Sequence, residues 1–429
     1  MQTLRGSIGA IVAMAVLAAC GQVPVTHPVT AGSAQALQTG ETPLNEAPKT
    51  TVVVPHSPSH GPNPVVSGNY GTLSVFPTET LPALKALING AQKSLYFETF
   101  NFGNDSMGKQ IYPLLIAKAK AGLEVKVVAD YVGTRFIPGH ADMVKQMRAA
   151  GIDFRLYKPR LMIKDDKKAG INITHRKVYL ADGERALIGG VNLMAPFDYD
   201  VQDVLIEWKG PIVPQLYGEF AYDWRAANGG DLNQLPVTPV TTGPVTAQVV
   251  VTSPPEGRFE ARDAIYKAVD LAQDEIRIEN QYLWDAKLVQ RLLNAMARGV
   301  KLHVIVPGDE DHGVFKFIHS ETLKKLQDAG AQCRLYVGID PQAHLHVKYF
   351  GVDGRLVAIG SANGDTRGLM DNQELDTVIH HAGLCAEFKA RLFEKDWTQF
   401  TKPFVYRPGP DIVHTKPFQT LLEIIEYYS

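Results

Sequence analysis

Histidine and lysine side chains recur at two places in the chain with one spacing, and together they suit chemistry at a phosphodiester. His175 and Lys177 form the first pair, and His346 and Lys348 form the second pair 171 residues later. Other polar or small residues keep the same offset: Asp182, Gly190, Asn192 and Asp203 in the first copy, and Asp353, Ser361, Asn363 and Glu374 in the second. Such a duplicated half-motif predicts one site that is built from two halves.

The residue types predict nucleophilic displacement at phosphorus. One imidazole would attack phosphorus and the other would protonate the leaving group, while ammonium and amide groups hold the non-bridging oxygens. Asp203 and Glu374 each lie 28 residues after a histidine, and an acid bonded to one ring nitrogen would fix the tautomer. A phosphohistidine would then pass to water or to an alcohol. The residues leave open which histidine attacks, and the sequence has no Cys/His cluster with metal-ligand spacing.

The local pattern predicts how each half-motif is presented. Side chains at i and i+2 of a strand share a face, so His-x-Lys would place an imidazole and an ammonium side by side. Asp182 and Asp353 each precede a glycine between two apolar runs, which is a hairpin signal. We therefore expect these two aspartates to form turns rather than to carry protons.

The elements that must position these residues also occur twice. The first set is predicted as helices at 81–93, 106–121 and 141–150 and strands at 94–102, 125–129 and 154–157. The second set is predicted as helices at 262–273, 286–298 and 320–329 and strands at 275–283, 301–306 and 333–336. Alternating strands and helices predict an α/β fold with a largely parallel sheet. The expected architecture is two similar α/β halves packed around a shared central active site.

Composition divides the chain further and limits its function. We expect a lipoprotein signal peptide at 1–19, a disordered tether at 20–68, a first half at 69–230, a linker at 231–246, a second half at 247–403 and a tail with a short helix at 404–429. The formal net charge of −2 does not suggest a strongly basic nucleic-acid binder, although a local basic patch stays open. Three cysteines are too few for a disulfide framework.

The N-terminus has the pattern of an export signal. Arg5 precedes a short apolar run at 8–17, and small residues lead to Cys20. The run is too short for a membrane span and suits a secretory signal. Because Cys20 follows small residues as in a bacterial lipobox, we expect cleavage before it and acylation of its thiol. The protein would then be an extracytoplasmic lipoprotein anchored to a membrane of the cell envelope. The alternative is a plain signal peptide with an incidental cysteine.

The motif His-x-Lys-x4-Asp-x6-Gly-Gly/Ser-x-Asn, present twice, resembles that of the phospholipase D superfamily over roughly residues 70–400. The resemblance implies two α/β halves with a shared site, and neither a metal nor another cofactor. It implies that His175 is the nucleophile and His346 the general acid, and that phosphate is bound by Lys177, Lys348, Asn192 and Asn363. The first copy has Gly190 where the second has Ser361, so it offers one donor fewer if that hydroxyl helps to hold phosphate.

Three functions are compatible with this resemblance. The first is a phosphodiesterase or transphosphatidylase that acts on a phospholipid substrate, similar to the cardiolipin synthase branch, and it accords with near-neutral charge and a membrane anchor. The second is a metal-independent nuclease of the same superfamily, so nucleic acid stays a possible partner. The third is an inactive binding module, against which the intact His, Lys and Asn residues of both copies argue.

Several other residues have a structural interpretation. Glu98 and Glu279 lie in equivalent apolar strands and would either line the site or be buried structural acids. His344 is expected beside the pocket without a catalytic role. The four tryptophans are expected in the core or at its rim, and Cys333 and Cys385 are expected to be free and unreactive. The loop at 158–174, eight residues longer than its counterpart, would shape or cover the site.

Overall fold

A computed structural model describes residues 61–163, 169–232, 243–308, 313–338 and 344–406. The predicted signal peptide, its Cys20, the tether up to residue 60, the middle of the linker and the tail beyond residue 406 lie outside these described residues.

The first half contains ten strands and five helices among its described residues. Its strands are β1 (Val66–Val75), β2 (Ser94–Thr99), β3 (Glu124–Asp130), β4 (Asp153–Tyr157), β5 (Arg160–Ile163), β6 (Ala169–Asn172), β7 (Val178–Ala181), β8 (Arg185–Gly189), β9 (Val201–Gln202) and β10 (Val204–Lys209). Its helices are α1 (Pro77–Gly90), α2 (Gly108–Lys120), α3 (Tyr131–Thr134), α4 (His140–Ala149) and α5 (Val213–Ala226).

The second half follows the same order with local differences. Its strands are β11 (Val245–Ser253), β12 (Arg258–Phe259), β13 (Glu275–Asn280), β14 (Lys301–Pro307), β15 (Gln332–Tyr336), β16 (His344–Leu345), β17 (Lys348–Val352), β18 (Leu356–Gly360), β19 (Glu374–His380) and β20 (Thr401–Pro403). Its helices are α6 (Glu260–Leu271), α7 (Ala286–Ala297), α8 (Gly313–Asp328), α9 (Ala382–Phe388) and α10 (Lys395–Gln399). Two π-helical segments, Arg367–Asp371 and Lys389–Glu394, and the 3-10 turn Pro254–Glu256 complete the described part.

One large sheet runs through both halves. Its strand order is β20-β15-β14-β13-β17-β18-β19-β11-β1-β10-β8-β7-β2-β3-β4. β1 pairs with β11 in antiparallel fashion at the middle of the sheet. From this pair outward, equivalent strands of the two halves follow in the same order, and β20 is an additional strand at the edge of the second half. The two halves therefore share a continuous sheet and have the expected duplicated α/β architecture.

The prediction of a largely parallel sheet is wrong. Only β2, β3 and β4 and their equivalents β13, β14 and β15 pair in parallel within the large sheet. The strands between these two groups are antiparallel. β7 with β8 and β17 with β18 form hairpins, which connect antiparallel neighbours without a crossover helix. The other central pairs join strands that are distant in sequence, such as β1 with β10 and β11 with β19.

Helices cover both faces of this sheet. On one face, α1, α2 and α4 pack in the first half and α6, α7 and α8 in the second, each against its own cluster of buried side chains. On the other face, a single apolar cluster includes residues of both halves, among them Trp208 and Phe220 of the first and Val249 and Phe388 of the second. Strands buried on both faces read as apolar runs, and this shared cluster joins the halves into one body.

Local sequence explains a typical helix of this framework. Asp285 caps α7 by accepting a hydrogen bond from the amide of Leu288 at 2.8 Å. Leu288, Leu292 and Ala295 are buried, and this three-to-four-residue spacing places them on one stripe. The stripe therefore faces the sheet, and the cap marks the start of the helix.

The folded part begins earlier than predicted. β1 starts at Val66, inside the expected tether, and the Asn63 side-chain amide donates to Glu219 at 2.8 Å. β11 starts at Val245, two residues before the expected start of the second half. The sequence of these segments gave no sign of the short strand ends, which pair between β1 and β11 and between β11 and β19.

No described helix combines the length and the apolar character that crossing a membrane requires.

Candidate active site

Each catalytic motif begins in extended backbone between two strands. His175 and Lys177 precede β7, and His346 lies between β16 and β17, with Lys348 as the first residue of β17. The expected strand therefore starts later than the histidine. The lysine still lies beside it, because the Lys177 ammonium donates to the His175 carbonyl oxygen at 2.7 Å and the Lys348 ammonium donates to that of His346 at 2.5 Å.

The two histidine rings meet at the junction of the halves. Their centroids lie 6.4 Å apart and their planes are inclined by 60°. The side chains of His175 and His346 are 10% and 12% exposed, so both rings are largely buried but not sealed from solvent. One phosphate group could contact both rings from such a position.

The orienting acids reach across the junction. Nδ1 of His175 lies 3.0 Å from a carboxylate oxygen of Glu374, and Nδ1 of His346 lies 2.7 Å from one of Asp203. Each histidine is thus bound by the acid of the other half, although in sequence each acid follows the histidine of its own half. A carboxylate on Nδ1 directs Nε2 toward the gap between the rings.

Burial sets the protonation of the histidines. It lowers the pKa of His175 well below its usual value, with contributions from the charges of Lys177, Lys348 and Arg367. The pKa of His346 is lowered for the same reason, with Lys348 as the largest charge contribution. Both rings are therefore neutral in the free site near pH 7, which leaves one imidazole available as a nucleophile.

The other charged groups are buried as well. Desolvation lowers the pKa of Lys177 to about 7 and that of Lys348 to about 8. It raises the pKa of Asp203 to about 7, against the charge of Lys348. It also raises the pKa of Glu374 to about 7, against Lys177 and hydrogen bonds from Ser361 and Asn372. Burial therefore brings the pKa values of the two lysines and the two acids close to one another.

The amide and hydroxyl groups differ between the halves. Asn192 and Asn363 are buried at the site, and the Asn363 side-chain oxygen has no hydrogen-bond partner in the described structure. The Ser361 hydroxyl donates to Glu374 at 2.5 Å, so it orients an acid here rather than pointing into the gap. Gly190, its counterpart, has no side chain because an added Cβ would lie 2.3 Å from Asp203.

The two predicted turn residues lie outside the site. Asp182 and Asp353 have left-handed backbone, with φ of 59° and 51°, and each occupies the hairpin turn after its His-x-Lys strand. The Asp182 carboxylate accepts from three successive amides, 92 to 94, at 2.7 to 2.9 Å. The Asp353 carboxylate does the same for amides 273 to 275 at 2.8 to 3.0 Å. Each turn therefore fixes the start of the neighbouring strand, β2 or β13.

Sequence reasoning missed the aromatic walls of the site. The Phe100 ring meets the His175 ring edge-on at 5.1 Å, and the Phe197 ring meets that of His346 at 4.9 Å. Lys177 lies 5.5 Å from the Phe100 ring centroid. At the position equivalent to Phe100 the second half has Gln281, which accepts from Lys348 at 3.1 Å. These residues do not repeat, so the duplication gave no signal for them.

A further cation was also missed. Arg367, on the π-helical segment after Asn363, acts electrostatically on His175, Asp130 and Asp365. Its counterpart at the 171-residue offset is Pro196, so it too lies outside the repeat. Arg367 is therefore a third cation that acts on His175, beside Lys177 and Lys348.

The remaining predicted neighbours are structural or peripheral. Glu98 and Glu279 are fully buried, and Glu98 accepts from the Thr174 hydroxyl at 2.6 Å. His344 donates its backbone amide to Asp200 and its charge acts on His346. Trp208, Trp224 and Trp284 are buried and Trp397 packs partly against the core, and Cys333 and Cys385 are buried and free.

The long loop before His175 forms a hairpin. Its arms β5 and β6 pair in antiparallel fashion, and the Asn172 amide donates to the Asp371 carbonyl oxygen at 2.7 Å. The hairpin thus ties the strand that leads into His175 to the second half. Residues 164–168 at its turn are not among the described residues, so the predicted covering of the site stays a prediction.

Comparison with known proteins agrees with this geometry. Residues 84–224 and 265–397 match the family described as "Cardiolipin synthase, PLD-like domain". These two segments correspond to the two halves, and each contains one complete His-x-Lys motif.

Individual relatives carry the same description. The chain is 28% identical over 333 residues to a cardiolipin synthase of Clostridium perfringens strain 13, covering 73% of this chain and 67% of that protein. It is 28% identical over 316 residues to cardiolipin synthase B of Shigella flexneri, covering 70% of this chain and 73% of that protein.

Solved structures share the fold. The chain superimposes on phosphatidylserine synthase of Haemophilus influenzae Rd KW20 with a TM-score of 0.61 at 14% identity, covering 85% of this chain and 95% of that one. Polyphosphate kinase from Porphyromonas gingivalis gives a TM-score of 0.55 at 17% identity, covering 83% and 53%. Taken with the duplicated motif and the junction of the two histidines, the family match shows that this chain belongs to the phospholipase D-like family of the cardiolipin synthase type.

Proposed function

We propose that this protein is a phosphatidyltransferase of the phospholipase D type, which transfers the phosphatidyl group of a phospholipid through a phosphohistidine. The observation that carries this proposal is the meeting of two buried histidines, one from each half, with their centroids 6.4 Å apart. The substrate class follows from the relatives, which are named cardiolipin synthases.

The first step would use His175 as the nucleophile, as in the family. Its Nε2 forms a bond to phosphorus while the bond from phosphorus to the head-group oxygen breaks, and His346 in its protonated form gives a proton to that oxygen. Because His346 is neutral in the free site, the negative charge of the bound phosphodiester would favour its protonation. Lys177 and Lys348 would hold the non-bridging oxygens.

The second step would reverse these roles with a new alcohol. The alcohol gives its proton to His346 as its oxygen bonds to phosphorus, and the bond from phosphorus to His175 breaks. With water in place of the alcohol the product is phosphatidic acid. Phe100 and Phe197 would limit the access of water beside the rings, which favours transfer to an alcohol over hydrolysis.

The test is turnover of phosphatidylglycerol vesicles by the purified full-length chain, with products identified by mass spectrometry. We expect cardiolipin and glycerol from the wild type. His175→Gln should abolish turnover, and His346→Gln should lower it by about 10²–10⁴-fold. His303→Gln is the matched control, because this histidine lies on β14 and packs against Trp397 of α10 rather than at the site. Cleavage of plasmid DNA without turnover of lipid would contradict the proposed substrate class.

We also propose that the N-terminus anchors the protein to a membrane outside the cytoplasm. The support is the sequence from Arg5 to Cys20 alone, which has the order of a lipoprotein signal. Metabolic labelling with a fatty-acid analogue should label the wild type and not Cys20→Ala. Labelling that persists in this variant would contradict an anchor at Cys20.

A further inference from the structure

Each histidine is held by a dipeptide of the opposite half. Gln373 precedes Glu374, and Gln202 precedes Asp203, again 171 residues apart. The backbone amide of His175 donates to the Gln373 carbonyl oxygen at 2.9 Å, and that of His346 donates to the Gln202 carbonyl oxygen at 2.9 Å. The dipeptide thus holds the histidine backbone with its glutamine and the histidine ring with its acid.

The glutamine side chains extend away from the gap between the rings. Gln373 donates to the Tyr157 hydroxyl at 3.2 Å and accepts from the Arg176 guanidinium at 3.4 Å. Gln202 donates to a carboxylate oxygen of Asp396. Tyr157 and Arg176 belong to the first half and Asp396 to the second, so each glutamine is anchored in the half whose histidine it holds.

The two anchors differ in charge. Arg176 is fully buried and lies 2.9 Å from Asp223 and 3.3 Å from Glu219. The second half has Val347 at the position of Arg176, and there Asp396 faces Glu279 without an arginine. Burial and Asp396 raise the pKa of Glu279 well above its usual value, so this acid pair retains a proton.

We propose that Gln202 and Gln373 are positioning residues, each of which fixes the catalytic histidine of the opposite half through an anchor buried in that half. The inference rests on the proposed catalytic role of the two histidines and adds residues that do not touch substrate. Because both glutamines are buried, a lost side-chain hydrogen bond is not replaced by water. The dipeptide would then shift and carry the orienting acid with it.

The experiment uses Gln202→Met and Gln373→Met in the full-length chain, since methionine keeps the side-chain length without the amide. Gln248→Met is the control, because Gln248 donates to the Asn63 carbonyl oxygen at 2.7 Å on β11, away from the site. Imidazole ¹⁵N signals, assigned with the His→Gln variants, report the tautomer and pKa of each histidine. Kinetics on a soluble bis-aryl phosphodiester give kcat and KM.

We expect each glutamine substitution to affect the catalytic histidine of the opposite half. Gln373→Met should change the ¹⁵N signals of His175, and Gln202→Met those of His346, with kcat lowered about tenfold and KM unchanged. Gln373→Glu should have a higher kcat than Gln373→Met, because glutamate keeps an acceptor for Arg176. Gln202→Glu should not have a higher kcat than Gln202→Met, because it adds a third carboxyl beside Asp396 and Glu279.

Two results would overturn the positioning role. One is that neither variant changes the ¹⁵N signals of either histidine relative to Gln248→Met. The other is a fall of kcat and melting temperature together with an unchanged pH profile, which indicates a loss of stability alone. Crossed ¹⁵N changes without turnover of phosphatidylglycerol by the wild type would support the positioning role and reject the proposed substrate.

Discussion

Within each half, the residue at the Gly/Ser position of the motif is matched in size to the orienting acid. Gly190 is paired with the shorter acid Asp203, and Ser361 with the longer acid Glu374. The space that a side chain at 190 would need is occupied by the Asp203 carboxylate. In the second half the Ser361 hydroxyl instead donates to Glu374. The two halves therefore position their orienting acids in different ways.

This pairing predicts the effect of exchanging the residues. Gly190→Ser alone should displace Asp203 from His346 and lower kcat about tenfold or more, since inserting atoms into a packed site costs about 1–3 kcal/mol. Adding Asp203→Glu should recover part of the loss, because the double variant has the pair found in the second half. Steady-state kinetics of a double-mutant cycle measure this coupling, and additive losses would contradict it.

The lysines predict how activity depends on pH. A lysine is charged below its pKa and neutral above it, and burial lowers the pKa to about 7 for Lys177 and about 8 for Lys348. The attraction for a phosphodiester should therefore fall as the pH rises through 7 to 8, and kcat/KM should fall with it. A kcat/KM profile that stays level up to pH 10 would show that both lysines keep their charge.

The hairpin turns are the elements that place His-x-Lys beside the neighbouring strand. Asp182→Ala or Asp353→Ala removes an acceptor from three backbone amides and should lower the free energy of unfolding by about 1–3 kcal/mol. Asp182→Asn should lower it less, because asparagine keeps one acceptor and tolerates left-handed backbone. Urea denaturation measures both, with Asp231→Ala as a control because its carboxylate is 82% exposed. Equal stability of Asp182→Ala and the control would contradict this role.

Most elements could be predicted from sequence, because apolar periodicity and glycine stops mark them locally. The helix expected at 286–298 is found at Ala286–Ala297, and the strand expected at 125–129 is found at Glu124–Asp130. The direction of the central strands could not be predicted in this way. It depends on which strands become neighbours, and the pairing of β1 with β11 joins Val66 to Ala247 and Asn69 to Val245.

The active site, too, could be predicted only in part from the sequence. Duplication identified the histidines, lysines, asparagines and acids, since a constant offset survives without structure. It could not show that each acid binds the histidine of the other half, because that requires the halves to be packed together. Phe100, Phe197, Gln281 and Arg367 break the repeat and so were found only in the structure.

For the whole molecule, Arg176 joins the halves by charge. It belongs to the first half, pairs with Asp223 and Glu219 there, and donates to the Glu374 carbonyl oxygen of the second half at 3.3 Å. Arg258 of the second half binds Glu219 at 2.9 Å from the other side. A buried ionic network of this kind makes the packing of the halves specific when all its members are present.

Removal of the Arg176 guanidinium should lower the stability of the protein. Arg176→Met leaves the buried Asp223 carboxylate without its cation and Glu219 with Arg258 alone, and should lower the free energy of unfolding by about 3–5 kcal/mol. Arg225→Met is the control, because Arg225 pairs with an exposed aspartate at 3.5 Å, a contact worth about 0–1 kcal/mol. Chemical denaturation compares the two, and similar small losses would show that the network does not hold the halves together.

The covalent intermediate tests most directly whether two half-sites act as one. A phosphatidyl ester of 4-nitrophenol has a leaving group that departs without a proton, so His346→Gln should still form the adduct and should release it slowly. After an alkaline quench, mass spectrometry should find a phosphatidyl group on His175 in this variant and none in His175→Gln. An adduct in His175→Gln, or the absence of an adduct in His346→Gln, would contradict an account in which His175 forms the phosphohistidine and His346 transfers the proton.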